Sequence, residues 1–190
     1  MKSRAFWLVA RIGVLVLAVS IGTLAQTPKH VKFSGLINDY TPASVGGPWE
    51  VRGEWSLKVQ GEAGKADFSA VLTMVRSDYW VLAHGNPDDP TGRVPHTHHV
   101  SLVDGEVTPI PNGFRVSGPA TITGNGSPAP FGPSSTLQID ITGGSSIAFS
   151  NIKLTFGGDA AGHFGVQPLD GVVRRSRPHN ESWDRRGFDR

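Results

Sequence analysis

From residue 31 onward the apolar positions of this chain recur at every second residue. The clearest stretch runs from Trp49 to Gln60. Trp49, Val51, Gly53, Trp55, Leu57 and Val59 fall on one side of it, and Glu50, Arg52, Glu54, Ser56, Lys58 and Gln60 on the other. A period of two belongs to a strand with one face on a core, and no helix produces it. The turn residues Gly61-Glu62-Ala63-Gly64 follow, and then Ala66, Phe68, Ala70, Leu72 and Met74 resume the alternation, so the pair predicts a hairpin.

The same pattern predicts strands at Val31 to Thr41, His96 to Val103, Gly113 to Thr123, Thr136 to Thr142, Ser146 to Phe156 and Phe164 to Val173. In Thr136 to Thr142 the apolar face is Leu137, Ile139 and Ile141. The phase of the next strand changes between Phe149 and Ile152, as a β-bulge requires. Eight short strands separated by Gly, Pro and Asn turns predict an all-β fold. A single eight-stranded antiparallel barrel is preferred over a β-sandwich, because closure removes exposed edges and eight strands enclose side chains or one small ligand.

The two ends of the chain lack this alternation. Lys2, Arg4 and Arg11 precede a 13-residue, mainly apolar run from Ile12 to Leu24, which leads into Thr23-Leu24-Ala25. That order is the one of a signal peptide cleaved after Ala25, and the run is shorter than the roughly 20 residues of a spanning helix. A secreted or periplasmic protein with no transmembrane span in the mature chain is expected. The division predicted is signal peptide 1–25, β-barrel domain 26–175 and a disordered charged tail 176–190.

Composition narrows the chemistry. With no cysteine there is no disulfide framework, no thiolate nucleophile, no cysteine-ligated zinc and no lipid-anchor cysteine. The formal charge of +2 depends on the ends: removing the three basic residues of the leader leaves 15 basic against 16 acidic residues. In the last 17 residues Arg174, Arg175, Arg177, Arg185, Arg186 and Arg190 stand against Glu181, Asp184 and Asp189. The body is therefore mildly acidic, and it carries no basic patch interleaved with aromatics, so nucleic acid is not an expected partner.

The order of short strands, the opening Phe33-Ser34-Gly35-Leu36, the strand Trp55-Ser56-Leu57-Lys58-Val59 and the stretch from Asn151-Ile152-Lys153-Leu154 to His163-Phe164-Gly165 resemble the allene oxide cyclase-like and dirigent-like barrels over residues 31–173. The resemblance implies a barrel with an apolar cavity, in a group that includes cyclases of hydrophobic substrates and steering proteins. A shared fold does not by itself carry function across.

The most unusual local run is Pro95-His96-Thr97-His98-His99-Val100-Ser101-Leu102. On a strand, His96 and His98 share the face of Val100 and Leu102, while His99 and Ser101 point the other way. Neutral imidazoles at alternate positions supply two adjacent ligands to a transition metal, with zinc and copper as the candidates. A third ligand has to come from elsewhere: His163, His84, or one of Asp78, Asp88 and Asp89. The bland alternative is a hydrogen-bonded histidine pair at the mouth of a barrel.

The same imidazoles also suit acid and base catalysis, since they titrate near neutrality. His98 and His96, with the hydroxyl of Tyr79, are then the catalytic candidates. Trp80, His99, His163 and Trp55 are candidate ligand-binding residues. The run Gly85-Asn86-Pro87-Asp88-Asp89-Pro90-Thr91-Gly92 makes the intervening connection long for a compact β domain, as binding loops often are. Three readings follow from different classes. The first is a barrel that binds a small hydrophobic molecule and cyclises or isomerises it. The second is a non-enzymatic scaffold or surface protein, and the third a metal-binding protein built on His96, His98 and His163.

Overall fold

The alternation of the sequence is realised as a wall of strands. The computed structural model describes residues 31–61, 64–76, 95–124, 127–128, 131–132, 134–143 and 150–178. In chain order the strands are β1 (Val31–Tyr40), β2 (Glu50–Gln60), β3 (Lys65–Val75), β4 (His96–Ile110), β5 (Gly113–Pro119), β6 (Thr121–Gly124), β7 (Ser127–Pro128), β8 (Thr136–Thr142), β9 (Asn151–Gly157) and β10 (Leu169–Pro178), with one short helix, α1 (Ala161–Phe164), before β10.

Every pairing is antiparallel. The hydrogen-bonded circuit runs β1, β2, β3, β4, β5, β8, β9, β10 and back to β1, which closes an eight-stranded barrel. β6 continues β5 along β4 after a break at Ala120, whose N–H turns aside to the Ser135 carbonyl at 2.9 Å, and the two residues of β7 pair with β6. No helix among the described residues is long and apolar enough to cross a membrane.

The inward faces are those the period of two marks out. Val51, Trp55, Leu57 and Val59 of β2, and Ala66, Phe68, Ala70, Leu72 and Met74 of β3, are all buried. Leu137, Ile139 and Ile141 of β8 join them in one continuous core. Trp55 lies inside the wall beside its register partners Gly35 and Ala70 and stacks on Phe68 with ring centroids 6.4 Å apart. Small residues on both neighbouring strands leave the volume that the indole fills. On the outer wall, Arg115 and Asp140 face each other across β5 and β8 and form a two-pronged ion pair at 2.6 and 2.7 Å.

The long strand β4 changes phase once. Ala66 and Phe68 of β3 pair with Gly105 and Leu102, so two residues of β4, Val103 and Asp104, oppose Asp67 alone. Asp104 takes a positive φ of 54° there, and its N–H donates to the Asp67 carboxylate at 3.0 Å. This bulge exposes Val103 and returns Gly105 to the interior, which a strand without an extra residue could not do.

Two strand expectations are corrected. The last strand does not start at Phe164. Phe164 ends α1 with its ring buried against Phe156, and the strand runs from Leu169 to Pro178, three residues past the boundary expected for the tail. Phe164 is drawn out of strand geometry by the packing of its ring, which caps one end of the core. The strand expected at Gly113 to Thr123 is interrupted at Ala120. Of the strand expected from Ser146 to Phe156, Asn151–Gly157 forms β9 and the residues before Ser150 lie outside the described residues. The phase change expected at Phe149, the leader and residues 179–190 lie outside the described residues.

Candidate metal centre

Two elements bring three histidines together. His96 and His98 stand at alternate positions of β4, where the inward face carries them toward one end of the barrel. Their register partners on β3 are Met74 and Leu72, and on the other side His98 lies opposite Gly124 of β6. His163 comes from α1, which is held by its neighbours rather than by its own length: a single turn is not stable alone. Ala160 before it and Phe164 at its end are fully buried, and the Phe164 ring stacks on Phe156 at 4.0 Å. At its C-terminal side Gly165 adopts φ 91°, and a side chain there would run into Pro42 at 2.7 Å.

The three rings converge on their Nε2 atoms. His163 Nε2 is 3.1 Å from His96 Nε2 and 3.0 Å from His98 Nε2, and the candidate ligand atoms all lie within 4.8 Å of one another. Aromatic rings surround the cluster. Trp49 meets His96 edge-on at 5.1 Å, Phe164 meets His98 at 5.3 Å, and Phe131 lies 5.6 Å from His98 and 5.4 Å from His163. His98 is buried, and His96 and His163 are half-buried. Outside Trp49 the guanidinium of Arg76 stands 5.8 Å from the indole centroid and donates to the Gly46 carbonyl.

Burial fixes the protonation state. It pushes the His98 imidazole down to about 4, with His163 and then His96 adding to the depression and the Thr123 backbone opposing it. His163 is also pushed down to about 4, by burial first and then by His96. Both rings are therefore neutral at pH 7 and offer a lone pair.

Neutral imidazoles cannot satisfy this arrangement alone. A ring nitrogen either donates its one hydrogen or accepts through its one in-plane lone pair, so His163 Nε2 forms at most one good hydrogen bond with the two nitrogens beside it. The other contact is left without a proton between the atoms, or with two. A cation resolves the conflict because it takes all three lone pairs at once. Two nitrogens bound to one zinc at about 2.0–2.1 Å, at a tetrahedral angle, lie roughly 3.3 Å apart, close to the separations here. The outer contact of His98 is less complete. Its Nδ1 lies beside Gly124, where a Cβ would approach it to 3.7 Å, and among the described residues it has at most a weak contact with the Thr123 backbone, short of full hydrogen-bond geometry.

The residues singled out in the sequence separate clearly. His96, His98 and His163 come together. His99 is exposed on the opposite face of β4, and Trp55 belongs to the core with its Nε1 buried and unpartnered among the described residues. Tyr79 and Trp80 lie outside the described residues, as do His84, Asp78, Asp88 and Asp89. The sequence pattern did not point to Trp49, Phe131 and Phe164 as the walls of the cluster. Phe131 offered one cue, an aromatic residue inside a Pro/Gly-rich connection where turn formation alone calls for none.

The fold and the cluster together define a closed antiparallel β-barrel with a three-histidine site at one end. No protein-family model, no curated protein and no solved structure matches the chain.

Proposed function

We propose that this protein binds a transition-metal ion, zinc or copper, through the Nε2 atoms of His96, His98 and His163. The observation that carries the reading is the approach of His163 Nε2 to both other nitrogens at 3.0 and 3.1 Å. A β-strand His-x-His pair and a third imidazole from another element form a nitrogen donor set suited to both metals. The low proton affinity of His98 and His163 supports it, since a metal ligand must give up its proton before it binds.

A barrel that encloses a hydrophobic ligand, as in the cyclase-like reading, has weaker support. Phe33, Phe114, Phe156 and Phe164 are fully buried, and they occupy the interior together with the aliphatic side chains of β2, β3 and β8. Clefts of about 450 and 410 Å³ are open grooves along β1–β3 and β5–β9, and none of the three histidines lines either. The leader-like segment at 1–25 supports export as the setting, where a stable cysteine-free fold with an imidazole site is chemically suited to an oxidising medium.

The test is elemental analysis of the chain purified without an affinity histidine tag, then stripped and offered zinc or copper. One equivalent bound per chain is expected. His163→Ala, which removes a half-buried ring from a surface turn, should keep the strand signature in circular dichroism. It should also weaken metal binding by more than the roughly 100-fold that losing an outer-shell partner costs. A wild-type chain that retains no metal, or a His163→Ala chain that binds as tightly as wild type, overturns the reading.

A further inference from the structure

We infer that the metal held by His96, His98 and His163 takes a small exogenous monoanion as its fourth ligand, hydroxide in plain water, so that the centre is an open Lewis-acid site and not a closed structural one. The inference rests on the metal reading above and deepens it. Its grounds are the charge and shape of the site.

The donor set brings no negative charge. Three imidazoles bound through Nε2 leave the full 2+ of a divalent ion uncompensated, and among the described residues no Asp or Glu carboxylate belongs to the cluster. Closed zinc sites typically offset the charge with thiolates, which this chain cannot supply because it has no cysteine. The walls do not help: Trp49, Phe131 and Phe164 are aromatic hydrocarbon surface with no acceptor oxygen. A divalent charge among such groups is costly unless an anion neutralises part of it.

The partial exposure of two of the three rings gives that anion a way in. Three nitrogens drawn from two elements occupy three corners of a tetrahedron, and a fourth corner faces away from them. His98 lies deep while His96 and His163 are half-buried, so the cluster is closed on its inner side and reaches solvent on its outer side. The aromatic rings are in direct contact with the imidazoles, at centroid separations of 5.1 to 5.6 Å, so crowding by these walls limits the anion to a few atoms. The step would be a ligand exchange: the bound hydroxide takes up one proton from solvent and leaves as water, the anion enters with its electron pair, and neither metal nor anion changes oxidation state. In the absence of added anion the bound water sheds one proton to solvent and remains as hydroxide, the nucleophile that such centres present to an electrophilic carbon or phosphorus.

Cobalt(II) reports this coordination directly. The full chain, stripped of metal and loaded with one equivalent of cobalt(II), is titrated with sodium azide, and sodium perchlorate at equal ionic strength is the control. The expected result is a shift of the visible cobalt bands that saturates at one azide per cobalt with a millimolar dissociation constant, and no shift with perchlorate. Bands that stay fixed at saturating azide show that the protein fills the fourth position, which overturns this inference and leaves the metal reading standing. An equal shift with perchlorate also overturns it, since the response is then to ionic strength. Failure of the chain to bind cobalt, zinc or copper at all overturns the metal reading and this inference with it.

Discussion

His98 is an ionisable side chain in a place where charge is expensive. The residue is 4% exposed and packs against both Phe131 and Phe164, with two further imidazoles beside it. In the metal-free protein this has a consequence for acid stability. Both His98 and His163 have folded-state values of about 4 against 6.5 for the free side chain, so between those limits the unfolded chain binds protons that the folded chain refuses. Their contribution to stability is complete above pH 6.5 and is lost as the pH falls through about 4. Urea midpoints of the stripped protein should therefore fall across that window. In His98→Leu, which keeps the volume and removes one titrating group, the fall should be visibly shallower. A wild-type midpoint that does not change between pH 6.5 and 4 would contradict the burial of these rings as neutral groups.

Among the elements, β1 shows how little tolerance the closing seam has. Gly35 sits where β1 shifts register against β10, opposite Val173. A Cβ on it would stand 1.9 Å from the Val172 carbonyl oxygen and 2.9 Å from the Trp55 ring. Backbone cannot move aside as a flexible side chain can. Gly35→Ala should destabilise the fold by about 2–3 kcal/mol or more, at the upper end of overpacking costs, and a denaturant melt reads it directly. A change below about 0.5 kcal/mol, the ordinary range of a surface substitution, would show that the seam adjusts.

The strand faces were legible because alternation is local: each residue of Trp49–Gln60 declares its side by its neighbours, and the sheet bears that out. The pairing of His96 with His98 was legible for the same reason. α1 was not. Its four residues hold too few positions for a helical period to register, and what makes it a turn is the burial of Ala160 and Phe164, a tertiary fact. The bulge at Val103 and Asp104 was equally hidden, because an extra residue is visible only against the partner strand. His163 could be named as a third ligand among several, and the fold brings it beside His96 and His98, while His84, Asp78, Asp88 and Asp89 lie outside the described residues.

Taken whole, the molecule is a closed wall around a filled interior, and its site lies where β4 and the approach to β10 meet. Because the three histidines meet only when these are brought together, the proposed metal would bind the folded chain in preference to the unfolded one. Free metal at 100 times its dissociation constant should add about 2.7 kcal/mol, which for a domain of this size raises the melting temperature by roughly 5–10 °C. Differential scanning fluorimetry with zinc and with excess chelator measures the difference. His163→Ala should melt at one temperature in both conditions, and a metal-dependent shift that survives this substitution would place the binding elsewhere.

His98 and His163 stand 65 residues apart in sequence, and between them lies the run of wall formed by β5, β8 and β9. An ion shared by the two rings, if bound as proposed, would be a covalent-like clasp on a chain that can form no disulfide. Because the ion lets go when the chain unfolds, it would not remove loop-closure freedom from the unfolded state as a disulfide does, and its worth would be set by metal affinity and concentration. Unlike a disulfide, the clasp opens without a reductant: a chelator or a falling pH releases it. The half of the barrel between the two histidines would then lose its tether while every strand contact stayed in place, so the stripped protein should differ from the loaded one in how fast it unfolds more than in what it looks like.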